Sequence, residues 1–243
     1  MEWTDEGIVL GARSHGETGA VVDLLTRAHG RHLGYVHGAR SKRLAPVVQP
    51  GNTVSASWRA RLDEQMGTYT LEGVTLRSGA LMASRLALYG LATMSALLRH
   101  LPERDPHPGL YAAADALVTH LDDPELSPRL FVAFELVLLA DLGFGLDLGR
   151  CAVTGTSEDL VYVSPRTGRA VSRDAGAPYA ERLLPLPAFL GARDDGEDPT
   201  PEEIAQGFAL TGFFLERHVF APQNIPAPPE RTRLLAVATN QTG

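Results

Sequence analysis

The chain has 243 residues and a formal net charge of −7, with 44 % hydrophobic and 21 % charged residues, which is ordinary for a folded globular protein. Its single cysteine excludes an intramolecular disulfide and a zinc site of three or four thiolates. There is no signal-peptide pattern at the N-terminus and no run of 18 apolar residues, so we expect a cytoplasmic protein that does not enter a membrane.

The charge is unevenly distributed along the chain. Residues 1–80 have a net charge of +1 and residues 81–243 a net charge of −8. No acidic residue lies between Asp23 and Asp63, and this window contains the only lysine, Lys42. Because Arg binds phosphate oxygens with two parallel hydrogen bonds, the window predicts an anionic partner. A solvated basic surface is the plainer interpretation of such a run.

Five short segments within residues 1–78 have the pattern of β-strands. In the clearest one, Val54, Ala56 and Trp58 alternate with small polar residues, which predicts a strand with one buried face and Trp58 in the core. The predicted strands are 6–13, 20–27, 31–37, 51–62 and 67–74. Their spacing predicts a five-stranded OB-fold barrel as the N-terminal domain, 1–78, with a small SH3-like barrel as the competing architecture.

From residue 79 onwards the apolar residues recur at helical spacing, which predicts an all-α domain over 79–243 and an α+β protein as a whole. The predicted helices are 80–100, 109–121, 127–143, 181–190 and 201–220. The third is apolar around most of its circumference, so we expect it to be buried. Residues 146–180 form a loop-rich segment with a hairpin of strands 160–164 and 170–172. We expect an acidic loop at 191–199 and only partial order beyond 221.

Motifs for catalysis are missing from the sequence. There is no GxxxxGK[ST] loop, no G-x-S-x-G turn and no HExxH, and the acidic pairs lie in predicted turns without a histidine at ligand spacing. Cys151 has no neighbouring histidine and is interpreted as a small buried thiol. We therefore expect a protein that is not an enzyme.

The basic window supplies candidate DNA-binding residues. Arg59 and Arg61 share one predicted strand face with hydroxyl side chains, which suits contact with phosphates. Tyr35 has the same alternation phase as Arg31 and could stack on a base. A cluster after the third strand could contact a nucleic-acid backbone. The predicted set is Arg27, Arg31, Tyr35, Arg40, Lys42, Arg43, Arg59 and Arg61.

Long ordered segments carry a resemblance to a known family. In the N-terminal part they are EGIVL, a turn with GET, LLTRAHGRHLGYVHGARS and QPGNTVSASW. Further on they are FELVLLADLGFGLDLGRCAVTG, YVSPRTGRAVS, RLLPLPAFL and FFLERHVF. From about residue 5 to residue 220 the chain closely resembles the RecO family of DNA repair proteins, which are recombination mediators.

The resemblance implies an OB-fold, a helical domain and a small zinc-ribbon-like insertion at about 146–180. It implies binding of single- and double-stranded DNA, annealing of complementary strands, and loading of RecA with RecR onto DNA covered by SSB, in the bacterial nucleoid. It also implies that RecR contacts the OB domain and that the acidic C-terminal tail of SSB docks on the helical domain.

The insertion departs from the family pattern. Many members hold zinc with two CxxC pairs, and here Cys151 matches the first position. The second position falls on Thr154, and the later pair falls near Ser172 and Ala175. Because one thiolate cannot hold structural zinc, we expect a metal-free insertion and no cofactor.

Two other functions are compatible with the same basic strands. An RNA-binding OB module would use the same charges, and a protein-bridging scaffold would use them for an acidic partner tail. For the DNA-binding function we expect an electrostatic mechanism with little sequence readout, because nothing in the sequence resembles a groove-reading helix.

Overall fold

The computed structural model describes residues 1–62, 64–191 and 198–239. The chain divides into two compact units, Met1–Asp122 and Asp123–Gly243. Most of the predicted acidic loop at 191–199, and the last four residues of the tail, lie outside the described residues.

The first unit begins with a closed five-stranded barrel in the order β1-β2-β3-β5-β4. The pairs are antiparallel except for β3 and β5, which are parallel. The OB-type prediction is therefore confirmed. The strands are β1 Glu2–His15, β2 Gly19–Thr26, β3 Gly30–Val36, β4 Thr53–Arg59 and β5 Thr68–Thr75.

Alternation along each strand produces the core of the barrel. On β4, Val54, Ala56 and Trp58 are fully buried, whereas Ser55 and Ser57 face outwards in part. The Trp58 indole Nε1 donates a hydrogen bond of 2.8 Å to the Met66 carbonyl oxygen, so the buried ring keeps its polar group satisfied. The prediction that Trp58 is a core residue is confirmed.

Three helices complete the first unit: α1 Ser78–Leu81, α2 Arg85–Leu98 and α3 Pro108–Thr119. The prediction of one continuous helix over 80–100 is wrong at its start. Ser84 is extended there, and its side chain accepts a hydrogen bond of 3.2 Å from the Ala87 N–H. This N-cap ends the short α1 region and begins α2.

The second unit is built around α4 Leu126–Asp141, whose Phe131, Phe134 and Leu138 are buried, as predicted. Helix α6 Pro201–Leu215 packs against α4 and begins with a capping box formed by Thr200 and Glu203. A π-helical segment, Glu216–Phe220, follows α6. The other elements are β6 Leu160–Val163, β7 Ala170–Ser172, α5 Arg173–Gly176, β8 Leu184–Pro185, α7 Ala221–Gln223 and α8 Pro229–Ala238.

Two predictions about the second unit differ from the structure. The predicted helix 181–190 is replaced by β8 between two 3-10 turns, Ala177–Arg182 and Ala188–Leu190. Pro185 and Pro187 are incompatible with a helix interior, and Pro185 fits the edge strand that pairs with β6. The region beyond 221, which we expected to be ordered only in part, contains α8.

A buried ion pair and a threonine hydroxyl group join three helices of the second unit. The Glu135 side chain on α4 is fully buried and accepts hydrogen bonds of 2.7 and 2.8 Å from Nε and Nη2 of Arg231 on α8. Thr211 on α6 also donates to this carboxylate. Burial disfavours the charged guanidinium, but the Glu135 carboxylate outweighs this effect and raises the pKa of Arg231.

We expect Arg231→Ala to lower the free energy of unfolding by about 3–5 kcal/mol, because it leaves the Glu135 carboxylate buried without its counter-charge. Urea denaturation measures this loss. The control is Arg217→Ala, since Arg217 is exposed and donates a hydrogen bond to the Pro165 carbonyl. The Arg217→Ala control should lower the free energy of unfolding by less than about 1 kcal/mol. Equal losses for the two variants would contradict the role assigned to the pair.

Candidate nucleic-acid interface

The predicted DNA-binding residues lie at four places in the first unit. Arg31 and Tyr35 project from the outer face of β3, and Arg27 lies in the β2–β3 turn. Arg59 and Arg61 lie at and beyond the end of β4. The connection from β3 to β4 contains Arg40, Lys42 and Arg43. In the barrel, β5 separates β3 from β4 on one side and β2 and β1 separate them on the other. The structure therefore places Arg31 and Tyr35 on one outer face, that of β3. Arg59 and Arg61 belong to a different part of the barrel, at the end of β4.

Arg31 is engaged within the barrel. Its side chain is 11 % exposed, its Nε donates to Asp23 Oδ1 at 3.0 Å, and its Nη2 donates to Asp23 Oδ2 at 2.9 Å. The Glu103 carboxylate lies 4.0 Å from Nη1. Because two parallel hydrogen bonds to a carboxylate balance the guanidinium, little of its charge is available to a phosphate. The sequence does not reveal this pairing, since Asp23 lies on another strand.

Arg59 is 77 % exposed, and its Nη2 lies 3.2 Å from Glu2 Oε2 on β1. The outer face of β4 also receives carboxylates from its neighbours, because Ser55 is flanked by Glu6 on β1 and Glu72 on β5. The sequence of β4 predicts a face of hydroxyl and guanidinium groups. The register of the sheet adds acidic side chains from the neighbouring strands.

The connection between β3 and β4 presents its cations to solvent. Arg40, Lys42 and Arg43 are exposed. Three buried apolar residues, Leu44, Val47 and Val48, anchor the same segment in the barrel core. The Ser41 carbonyl accepts hydrogen bonds from the N–H groups of Leu44 and Ala45, which closes a turn that contains Lys42 and Arg43. The cations therefore lie on a loop whose apolar residues are packed into the barrel core.

Tyr35 lies in an aromatic patch on the outer face of β1, β2 and β3. Its half-buried ring meets the edges of His15 and His37 at centroid distances of 5.7 and 4.7 Å. The ring lies against the backbone of Gly19 and occupies the space in which any Cβ there would stand. Any larger residue at position 19 would displace the Tyr35 ring. The patch leaves part of a π surface facing solvent. Arg27, in the β2–β3 turn, lies over the Tyr111 ring at 5.6 Å.

Two arginines outside the predicted set lie beside Tyr35 and Arg31. Arg13 on β1 faces the same way as Tyr35, because both pair with Val21 on β2. Arg99 caps the C-terminus of α2. Together with Arg31 they line a cavity of about 420 Å³ on the outer face of the barrel. Alternation along β1 could have indicated Arg13, but no sequence pattern brings Arg99 to this face.

The insertion at 146–180 contains the four positions at which the resemblance implies zinc ligands in many family members, and it brings Cys151, Thr154 and Ser172 together. Cys151 Sγ accepts hydrogen bonds from the N–H groups of Thr154 and Ser172, at 3.5 and 3.3 Å, and lies 3.4 Å from the Ser172 hydroxyl. One thiol with two hydroxyl groups and the methyl group of Ala175 does not supply the four donors that structural zinc requires, so these residues do not fit zinc.

Burial by itself raises the pKa of the Cys151 thiol, but hydrogen bonds from Ser172 and Thr154 outweigh burial and lower that pKa to about 6. The hydrogen bonds thus stabilise a thiolate in the absence of metal coordination. Within the described ranges, no group of three or more His, Cys, Asp or Glu side chains could hold a metal ion.

Comparisons with known proteins cover nearly the whole chain. The family models described as Recombination protein O N terminal and Recombination protein O C terminal match residues 1–77 and 82–224. The DNA repair protein RecO of Methylobacterium nodulans is 58 % identical over 246 residues, which is 100 % of both chains. That of Methylorubrum extorquens is 57 % identical with the same coverage. That of Mesorhizobium japonicum is 54 % identical over 236 residues, covering 97 % and 93 % of the two chains.

The family models and the compact units divide the chain at different places. The models change between residues 77 and 82, whereas the units change after Asp122. The predicted boundary at 78/79 follows the end of the barrel and stays a prediction. No helix in the described part of the chain is long and apolar enough to cross a membrane.

The thiol of Cys151 should titrate with a midpoint near pH 6, followed by the ultraviolet absorbance of the thiolate. The chain has no other cysteine, so Cys151→Ser is an unambiguous blank. The folded pKa of about 6 lies below the ordinary value of 9.0, so ionisation contributes stability that is complete above about pH 9. This contribution shrinks as the pH falls and is lost below about pH 6. A midpoint near the ordinary value would show that the hydrogen bonds do not hold a thiolate.

Proposed function

We propose that this chain, which belongs to the recombination protein O family of DNA repair proteins, binds single- and double-stranded DNA without sequence specificity and anneals complementary strands. The observation that supports this function most directly is the placement of cations on the barrel. Arg40, Lys42 and Arg43 are exposed together on one anchored loop, although the whole chain has a net charge of −7. A partner with a phosphate backbone suits this local charge.

The mechanism is electrostatic. Exposed guanidinium and ammonium groups neutralise phosphates and release the counterions condensed on the nucleic acid, which drives binding without reading the bases. Tyr35 adds stacking on an unpaired base. Annealing follows from the same charges, because two strands can approach one another only when their phosphate repulsion is offset.

The partners that the family resemblance implies belong to the same proposal. The chain acts with RecR to load RecA onto single-stranded DNA covered by SSB, as a mediator without catalytic activity, in the cytoplasm at the bacterial nucleoid. RecR contacts the barrel, and the acidic SSB tail docks on the helical domain over 79–243. The insertion folds without metal or cofactor, supported by the hydrogen bonds to Cys151.

Binding to a labelled single-stranded DNA should weaken with salt, with a slope of log K against log[salt] of about −3.5 if five phosphates are contacted. The triple variant Arg40→Ala, Lys42→Ala, Arg43→Ala should make this slope about 2 units less steep, because each lost phosphate contact removes about 0.7. Fluorescence anisotropy over a salt series measures both slopes.

The matched control removes three exposed arginines of the second unit: Arg150, Arg166 and Arg182. The control should leave the slope unchanged, and an equal effect would show that the barrel loop is not the site. Competition between single-stranded DNA and RNA of equal length tests the polymer class. Preferential RNA binding would contradict the DNA function, and no binding of either polymer would favour a protein-bridging scaffold.

A further inference from the structure

We propose that the cavity on the outer face of β1, β2 and β3 is the place where one or two nucleotides of a single strand are held, with the phosphate between Arg13 and Arg99. This inference rests on the proposed function and names its site. The cavity measures about 420 Å³, and the residues that carry the proposal are Arg13, Arg31, Arg99, Asp23, Val21 and Leu33.

The cavity contains one ion pair, Arg31 with Asp23, and two arginines outside that pair, Arg13 and Arg99. Arg31 and Asp23 balance one another through their two parallel hydrogen bonds. Arg13 and Arg99 are exposed, and within the described ranges neither guanidinium makes a hydrogen bond or an ion pair. The carboxylate in the cavity, Asp23, is already paired with Arg31. The Arg13 and Arg99 guanidinium groups can therefore attract a phosphate, and their planar donors suit its oxygen atoms.

Glycine at position 11 leaves room for the second cation. Arg99 Nη2 lies 3.6 Å from the point where a Cβ on Gly11 would stand, so the guanidinium reaches across bare backbone to the rim of the cavity. The register of β1 shifts between Val9 and Gly11, and Arg13 follows on the same face. Arg13 and Arg99 therefore approach the cavity from different elements, which allows them to enclose one group.

The floor of the cavity suits the apolar part of a nucleotide. Val21 and Leu33 are half-buried there. Tyr35 lies in the same cross-strand row as Arg13 and Val21, two strand spacings or about 10 Å from Arg13. A nucleotide with its phosphate at Arg13 can extend its base over Val21 towards the Tyr35 ring. Stacking on aromatic side chains is how single strands are bound without sequence preference.

The dimensions favour a single strand over a duplex. The cavity lies at the lower end of the range for ligand sites, about 300–1,000 Å³. The backbones of a duplex lie about 12 Å apart across its major groove, so a duplex can offer this cavity one backbone but no free base. An acidic peptide would use the two arginines and leave the aromatic patch of Tyr35, His15 and His37 without a role.

The decisive variant is Arg13→Ala with Arg99→Ala in the full chain. For a labelled oligothymidylate we expect about tenfold weaker binding and a salt slope about 1.4 units less steep, as for two lost phosphate contacts. Arg166→Ala with Arg182→Ala removes the same charge from exposed positions of the second unit and should change neither quantity.

A second variant fills the cavity without removing a cation. In Gly11→Leu the new Cβ stands 3.6 Å from Arg99 Nη2, an ordinary contact distance, and the rest of the side chain lies at the rim beside that guanidinium. Weaker binding of the oligonucleotide by this variant supports the site while the number of cations is unchanged. Tyr35→Leu should weaken binding about tenfold for a normal oligonucleotide and leave binding of an abasic one unchanged, which separates stacking from a structural role.

The outcomes distinguish this inference from the function on which it rests. If the wild-type chain does not bind oligonucleotides at all, the proposed function fails. If the wild-type chain binds and both cavity variants bind equally well with the same slope, the function stands and the cavity is not the site. If the arginine variant loses affinity for polyglutamate and keeps its affinity for DNA, the cavity serves an acidic peptide and the inference is overturned.

Discussion

Closure of the barrel is the constraint on which the placement of charge depends. Strand β3 pairs in parallel with β5, and β4 closes the barrel between β5 and β1. A basic window that is continuous in sequence is therefore distributed around the circumference. The part on β4 is bordered by carboxylates of β1 and β5, whereas the part on β3 joins Arg13 across β2.

Local pairing decides which of the cations can act on a ligand. Arg31 lies on the outer face of β3, yet its hydrogen bonds to Asp23 make it part of the barrel wall. Arg13 and Arg99 have no such partner within the described residues, and the loop that carries Lys42 is exposed. Net charge by segment, which first indicated an anionic partner, does not separate these two classes of arginine.

In the second unit, hydrogen bonds to two buried polar side chains, Glu135 and Cys151, stabilise the structure. The sequence patterns do not predict these hydrogen bonds. Glu135 on α4 binds Arg231 on α8, so a helix close to the C-terminus is held by a buried carboxylate. In the insertion, Cys151 Sγ accepts hydrogen bonds from the backbone N–H groups of Thr154 and Ser172. Both arrangements lower the free energy of a buried charge, the first with a counter-charge and the second with oriented donors.

The sequence by itself determined the five strands, the buried Trp58, the apolar α4 and the family, because alternation and helical spacing are properties of neighbouring residues. It did not exclude a helix over 181–190, where Pro185 and Pro187 favour the edge strand β8. Only the tertiary structure decided that Arg59 faces Glu2, that Arg31 is paired, and that Arg99 joins Arg13 at one cavity. These contacts join residues far apart in the chain, and their geometry depends on strand register and barrel closure, which no local pattern encodes.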